Sequence, residues 1–225
     1  LTAQGDMLLK YAEQILYLAR QAERSLDPSS QPRGPLRIGS METTAAVRLP
    51  ALLTAFHHDC PEVDLSLRTG PTEDLLQQVL DYELDGAFVA GPVNHPELEQ
   101  ETMLEETLAF IAGHRLDDLS APDIPRTLLV FRSGCSYRAR LEQWVRTRGW
   151  LPVKILEFGT LEAILGCVEA GMGISLIPLS VVRHYLGKGM HQGLWVQPLE
   201  GDEGRVETLF VRRRDAVMTP ALRHF

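Results

Sequence analysis

Three short stretches carry side chains suited to holding a small anion. They are Gly39-Ser-Met-Glu-Thr-Thr44, Ser133-Gly-Cys-Ser136 and Phe158-Gly-Thr160, each lying between an apolar run and a helical pattern. A helix start leaves backbone N–H groups without intrahelical partners, and its positive dipole end favours negative charge. Capping alone explains each hydroxyl taken singly. The same arrangement recurring at equivalent points along the chain is what raises a binding crevice above capping.

Other chemistry is poorly supported by spacing. His57-His58-Asp59-Cys60 has the residue types of a metal cluster. Adjacent helical residues point about 100° apart, however, so they chelate one ion badly. A polar helix end before Pro61 is the plainer reading, and no metal site is expected. Cys135 precedes a predicted helix start with Arg132 and Arg138 nearby, conditions that lower a thiol pKa and would suit a redox switch; a small buried or capping thiol is the simpler role. Cys167, three residues beyond Ile164 on an apolar helical face, reads as core. The chain shows no phosphate-binding glycine motif with its lysine, no nucleophile elbow and no metalloprotease helix. No catalytic residue can be named, and neither enzyme activity nor a cofactor is expected.

The elements that must position these loops follow from hydrophobic periodicity. Residues 1–26 read as one helix, with Leu8, Tyr11, Ala12, Ile15, Leu18, Ala19 and Ala22 at spacings of three and four. Residues 27–35 hold three prolines, two serines and a glycine and read as a linker. The helix must bury its stripe against its own domain or a second copy, and the intervening linker favours the second copy. Beyond the linker, strand and helix signals alternate. Strands are predicted at 36–39, 63–67, 87–90 and 107–112, with helices on Leu49–Phe56 and after Thr72, which is placed to cap Leu75, Leu76, Val79 and Leu80. The alternation restarts with strand 127–131, helix 137–147, strand 153–158, helix 161–170 and strand 174–177. A strand at 206–211 and a short helix end the chain. Two successive βαβ rounds predict two small α/β lobes with parallel sheets, whose ligands lie beyond the carboxyl ends of the strands.

Composition agrees with a globular body: of 225 residues, 44% are hydrophobic and 23% charged. No apolar stretch approaches the roughly 18 residues of a membrane helix, and residues 1–10 do not read as a secretory signal. Three cysteines, an odd count, fit reduced thiols in the cytoplasm. The formal net charge is −8, and no Lys or Arg occurs between Arg68 and Arg115, a stretch with ten carboxylates. Such a surface repels phosphates, so DNA binding by this face is not expected. The dense basic run Arg212–Arg214 reads as a solvated strand end.

Taken together, these segments resemble the effector-binding region of a LysR-type transcriptional regulator with its linker helix. Leu1-Thr-Ala-Gln-Gly with Leu8, Leu9, Tyr11 and Ala12 resembles the linker helix. Residues 36–50 resemble the first strand and helix of the regulatory domain, and residues 85–91 the third strand. Residues 161–178, with helix-ending glycines before a strand that stops at proline, are the most specific piece. The resemblance implies an α/β fold of two Rossmann-like lobes of the type 2 periplasmic-binding-protein kind. Lobe I would take residues 36–112 plus 214–225, and lobe II residues 113–213. It further implies a small-molecule effector between the lobes, a homodimer or homotetramer in the cytoplasm, and DNA contact only through a winged helix-turn-helix absent from this chain. Mapped residue by residue, effector contacts would fall on Ser40, Met41, Thr43 and Thr44, on Ala90 and Gly91, and on Cys135, Ser136, Phe158 and Thr160. Thr43 and Thr160 are expected to cap helices that face each other, whereas Thr72 would cap outside the site. Many members carry a small hydroxyl residue where this chain has Met41, and Glu42 adds a carboxylate; both argue against a simple di-acid effector. A free solute-binding protein shares the lobes but has no use for a long N-terminal helix.

Overall fold

A computed structural model describes residues 1–25, 31–116, 126–150 and 153–225. Helix α1 (Ala3–Ser25) begins where the Thr2 hydroxyl accepts the Gly5 N–H at 3.1 Å. The first four residues of the predicted linker, 27–30, together with Leu26, lie outside the described residues. The next strand, β1 (Gly34–Ser40), starts two residues earlier than its apolar pattern suggests. The chain continues through α2 (Glu42–Val47), α3 (Leu49–Asp59), β2 (Val63–Thr69), α4 (Thr72–Leu80), β3 (Gly86–Ala90) and β4 (Leu98–Ala112). The second round comprises β5 (Thr127–Phe131), α5 (Ser136–Thr147), β6 (Lys154–Phe158), α6 (Leu161–Glu169), β7 (Ile174–Pro178), α7 (Leu179–Gly187) and β8 (Trp195–Pro198). A 3₁₀ turn, β9 (Arg205–Arg213) and α8 (Pro220–His224) follow. Among the described residues no helix is long and apolar enough to cross a membrane.

The strands run in the order β2-β1-β3-β9-β4-β7-β5-β6, with β8 on β4. Parallel pairing holds within β2-β1-β3 and within β6-β5-β7. It stops at the centre, where β9 runs antiparallel to β3 and β4, and β4 antiparallel to β7. The sheets are therefore mixed, which corrects the expectation of purely parallel ones.

The long strand β4 is the main departure from the sequence pattern, which marks only residues 107–112. Its first half pairs with β9, while Leu108–Ala112 pair with β7 and β8. That first half is largely exposed and rich in glutamate, so no alternation of apolar residues marks it. Cross-strand charge supports it instead: Arg212 pairs with Glu99, Arg213 with Glu97 at 3.0 Å, and Arg205 with Glu105 at 3.6 Å. The basic run and part of the acidic stretch thus neutralise each other.

Each parallel group buries both its faces. Leu36, Ile38, Phe56 and Phe88 form one core with Ala221 and Leu222 of α8, so the C-terminal helix packs beside β1. Leu75, Val79, Ala87 and Leu209 fill the opposite face. In the second round, α6 and α7 cover one face through Ile164, Leu165, Val181 and Tyr185, and α5 covers the other through Leu141, Trp144 and Val145.

Candidate functional site

Four strand ends and the helices they feed converge on one cleft of about 470 Å³, open mouth included. From the first round, β1 delivers Met41, Glu42 and Thr43, and β2 delivers Thr69, Gly70, Pro71 and Thr72. The second round brings Phe131, Arg132, Cys135 and Tyr137 from β5 and α5, and Phe158 and Gly159 from β6. Such convergence is what strand carboxyl ends of an α/β sheet provide. The two sides touch at the rim, where the Glu73 N–H donates to the Gly134 carbonyl at 3.3 Å. Gly134 has φ +85°, and a Cβ there would lie 3.2 Å from that of Glu73, so both backbone conformation and approach favour glycine.

Of the mapped contacts, Met41, Thr43, Cys135 and Phe158 line the cleft. Ser40 is buried behind it, its hydroxyl donating to the Met41 carbonyl at 3.0 Å. Thr44 is buried in α2 without lining the cleft. Ala90 belongs to the core, while Gly91 donates its N–H to the Glu207 carbonyl at 2.9 Å and accepts from Arg140. Ser136 opens α5 and does not reach the lining. Thr160 does cap α6, accepting the Ala163 N–H at 3.4 Å, but it is exposed and outside the lining.

Two capping assignments are corrected. Thr43 lies inside the first turn of α2, whose N-cap position is Met41, a residue without a capping oxygen. Thr72 is the first residue of α4 after Pro71, and its hydroxyl accepts the Ala90 N–H at 3.4 Å. Thr72 also lines the cleft and so does not lie outside the site. The mapped contacts omit the 69–72 loop and the lining residues Phe131, Arg132 and Tyr137, as well as Gly159 within the otherwise recognised 158–160 loop. The strand-end rule that marks the other loops applies equally to Thr69-Gly-Pro-Thr72 and was available there.

Polar groups in the cleft are unusually free. The Thr43 residue is 98% buried; its Oγ1 makes no hydrogen bond of good geometry among the described residues, and the nearest polar group is the Tyr137 phenol, close enough to interact with it. Glu42 is half-buried and Arg132 exposed; neither has an ion pair or side-chain hydrogen bond there. Two neighbouring cations are occupied: Arg138 binds Glu142 at 2.7 Å and Glu157 at 2.6 Å, and Arg48 binds the buried Glu106 at 3.0 Å. Burial pushes the Tyr137 phenol well above its ordinary range, with the neighbouring Thr43 hydroxyl offsetting part of the shift. Burial likewise pushes the Cys135 thiol up, outweighing the N–H groups of Arg138 and Tyr137 and the charge of Arg138. That agrees with the small buried or capping thiol and not with a redox switch. Among the described residues no three His, Cys, Asp or Glu side chains group to hold a metal ion.

Comparison with known proteins agrees with this architecture. Residues 29–225 match the family model described as the LysR substrate binding domain. The chain is 47% identical over 227 residues to the HTH-type transcriptional regulator GltR of Bacillus subtilis (strain 168), covering 100% of this chain and 76% of GltR. A full-length OxyR variant from Pseudomonas aeruginosa superposes with a TM-score of 0.70 at 20% identity, covering 100% of this chain and 73% of that one. Full-length CbnR in complex with its target DNA gives 0.68 at 22% identity over 99% of this chain and 78% of that one. These structures share the type 2 periplasmic-binding-protein-like fold of their regulatory domains. The chain belongs to the LysR-type transcriptional regulators, a family of regulators and not of enzymes, and it carries their effector-binding domain.

Proposed function

We propose that this cleft binds a small-molecule effector and that its occupancy controls DNA binding and transcription through the helix-turn-helix of a longer regulator. We read residues 36–112 with 214–225 as one lobe and 113–213 as the other, with the effector between them. A cytoplasmic location and self-association, as a dimer or tetramer, accompany this reading. The Thr43 hydroxyl is the observation that carries it. A buried hydroxyl without a partner costs about 1–3 kcal/mol, and this one opens onto a cleft at the carboxyl ends of four strands. A ligand atom bound there would give the hydroxyl a well-aligned partner, which the adjacent Tyr137 phenol does not.

The test is a thermal-shift screen of small metabolites on the parent chain and on Thr43→Val. A ligand that binds only the folded state raises Tm. The parent is expected to respond to at least one compound, and Thr43→Val to bind it about tenfold more weakly while keeping or raising its unliganded Tm. Equal binding by both proteins would move the site away from this cleft.

A further inference from the structure

We propose that the cleft selects a zwitterion, a small α-amino acid whose ammonium group faces Glu42 and whose carboxylate faces Arg132. The proposal rests on the effector reading above and names the ligand class of that same site. Glu42 comes from the first turn of α2 and Arg132 from the end of β5, so the two parts of the fold contribute opposite charges to one lining. Neither charge is neutralised within the described residues. Of the charged side chains nearby, Arg138 is held by two carboxylates, Arg48 by Glu106, and Glu162 by the Tyr185 hydroxyl at 2.7 Å, while the exposed Glu73 at the rim adds a second carboxylate unpaired among the described residues.

Charge complementarity then discriminates among small ligands. A dicarboxylate that satisfies Arg132 sets its second carboxylate in a cleft that also holds Glu42. A diamine meets the converse problem at Arg132. A neutral ligand displaces water from both charges and compensates neither. A molecule with one ammonium and one carboxylate satisfies both, and the free Thr43 hydroxyl can donate to the carboxylate or accept from the ammonium. The charges of Glu42 and Glu162 are also felt by the neighbouring Tyr185 phenol. The Tyr185 phenol is pushed up to about 12 by burial, by its hydrogen bond to Glu162, and by the charges of Glu162 and Glu42. Met41, Phe131 and Phe158 supply apolar wall for the rest of the ligand.

Calorimetric titration of the 225-residue chain tests this with three probe sets: the proteinogenic L-amino acids, the same carbon skeletons lacking the amine, and those lacking the carboxylate. At least one amino acid should bind, with both truncated skeletons at least tenfold weaker. Glu42→Gln should abolish the preference for the amine-bearing skeleton, and Arg132→Gln should weaken the amino acid at least tenfold. Both positions reach solvent, so unchanged Tm values verify folding. Absence of binding by every amino acid overturns the proposal, as does a preference that survives Glu42→Gln. If amine-free carboxylates bind best and Thr43→Val weakens them, the zwitterion reading falls and the cleft remains the effector site. If whatever binds ignores Thr43→Val, both readings fall.

Discussion

Cys135 shows two opposing influences on one side chain. It occupies the N-cap position of α5, where backbone N–H groups and the helix dipole favour a thiolate. Burial dominates all the same, outweighing those N–H groups and the charge of Arg138, which itself pairs with Glu142 and Glu157. The thiol is therefore protonated at neutral pH. Its reaction with iodoacetamide at about pH 7 is expected to be slower than that of a free cysteine, rising only above the ordinary thiol range. Rates are best read by mass spectrometry of the Cys135 peptide, and rapid labelling at neutral pH would contradict this account. Thr43 and Thr72 carry the complementary lesson. Residue type predicts both as caps, yet one lies within a helix turn and the other bonds across to β3. A threonine near a helix start satisfies the capping pattern in sequence whether or not its hydroxyl faces the helix end.

At the level of elements, the segment Gly171-Met-Gly173 between α6 and β7 illustrates two distinct demands for glycine. Gly171 has φ +78°, a left-handed conformation that ends the helix. Gly173 is constrained by space: a Cβ there would fall 2.3 Å from the Thr127 carbonyl oxygen and 2.5 Å from Leu129 Cδ1. Backbone of β5 cannot easily withdraw, so Gly173→Ala should destabilise the fold by about 1–3 kcal/mol. Urea denaturation should show a lower midpoint at unchanged slope; an unaltered midpoint would mean that β5 and β7 separate freely. Strand β4 makes the opposite case. Its apolar end at 108–112 is legible, whereas its glutamate-rich half is a strand only because β9 lies beside it with arginines in register.

For the molecule as a whole, the N-terminal helix α1 carries a face that the other described residues do not cover. Met7, Leu8, Tyr11 and Ile15 are each 59–69% exposed, a contiguous apolar surface of the kind that marks an interface. The helix is tied to the body by the Tyr17 hydroxyl, which donates to the buried Asp85 at 2.5 Å, and by Arg37 stacked over the Tyr17 ring. That tether leaves the apolar stripe available to a second copy. Light scattering should give at least twice the mass of one chain, and Leu8→Glu combined with Ile15→Glu should shift the protein toward monomer. A parent chain that is monomeric across micromolar concentrations would remove the idea.

Read without its structure, the chain already shows the alternation of strands and helices, the amphipathic N-terminal helix, and the family resemblance of residues 161–178 and their neighbours. Periodicity reports how one element is buried, and these elements are buried on one or both faces in regular patterns. It also marks three of the four loops that meet at the cleft. Which strand ends face each other is a matter of long-range packing. Sheet order is set by pairings between distant segments, such as β9 inserted between β3 and β4, and no local pattern encodes them. The same packing brings Thr72, Arg132 and Tyr137 into the lining, leaves Thr160 outside it, and buries the Thr43 hydroxyl beside Tyr137 without a well-formed hydrogen bond among the described residues. A residue's type limits the bonds it can make, but only the neighbours supplied by the fold decide which of those bonds remain for a ligand.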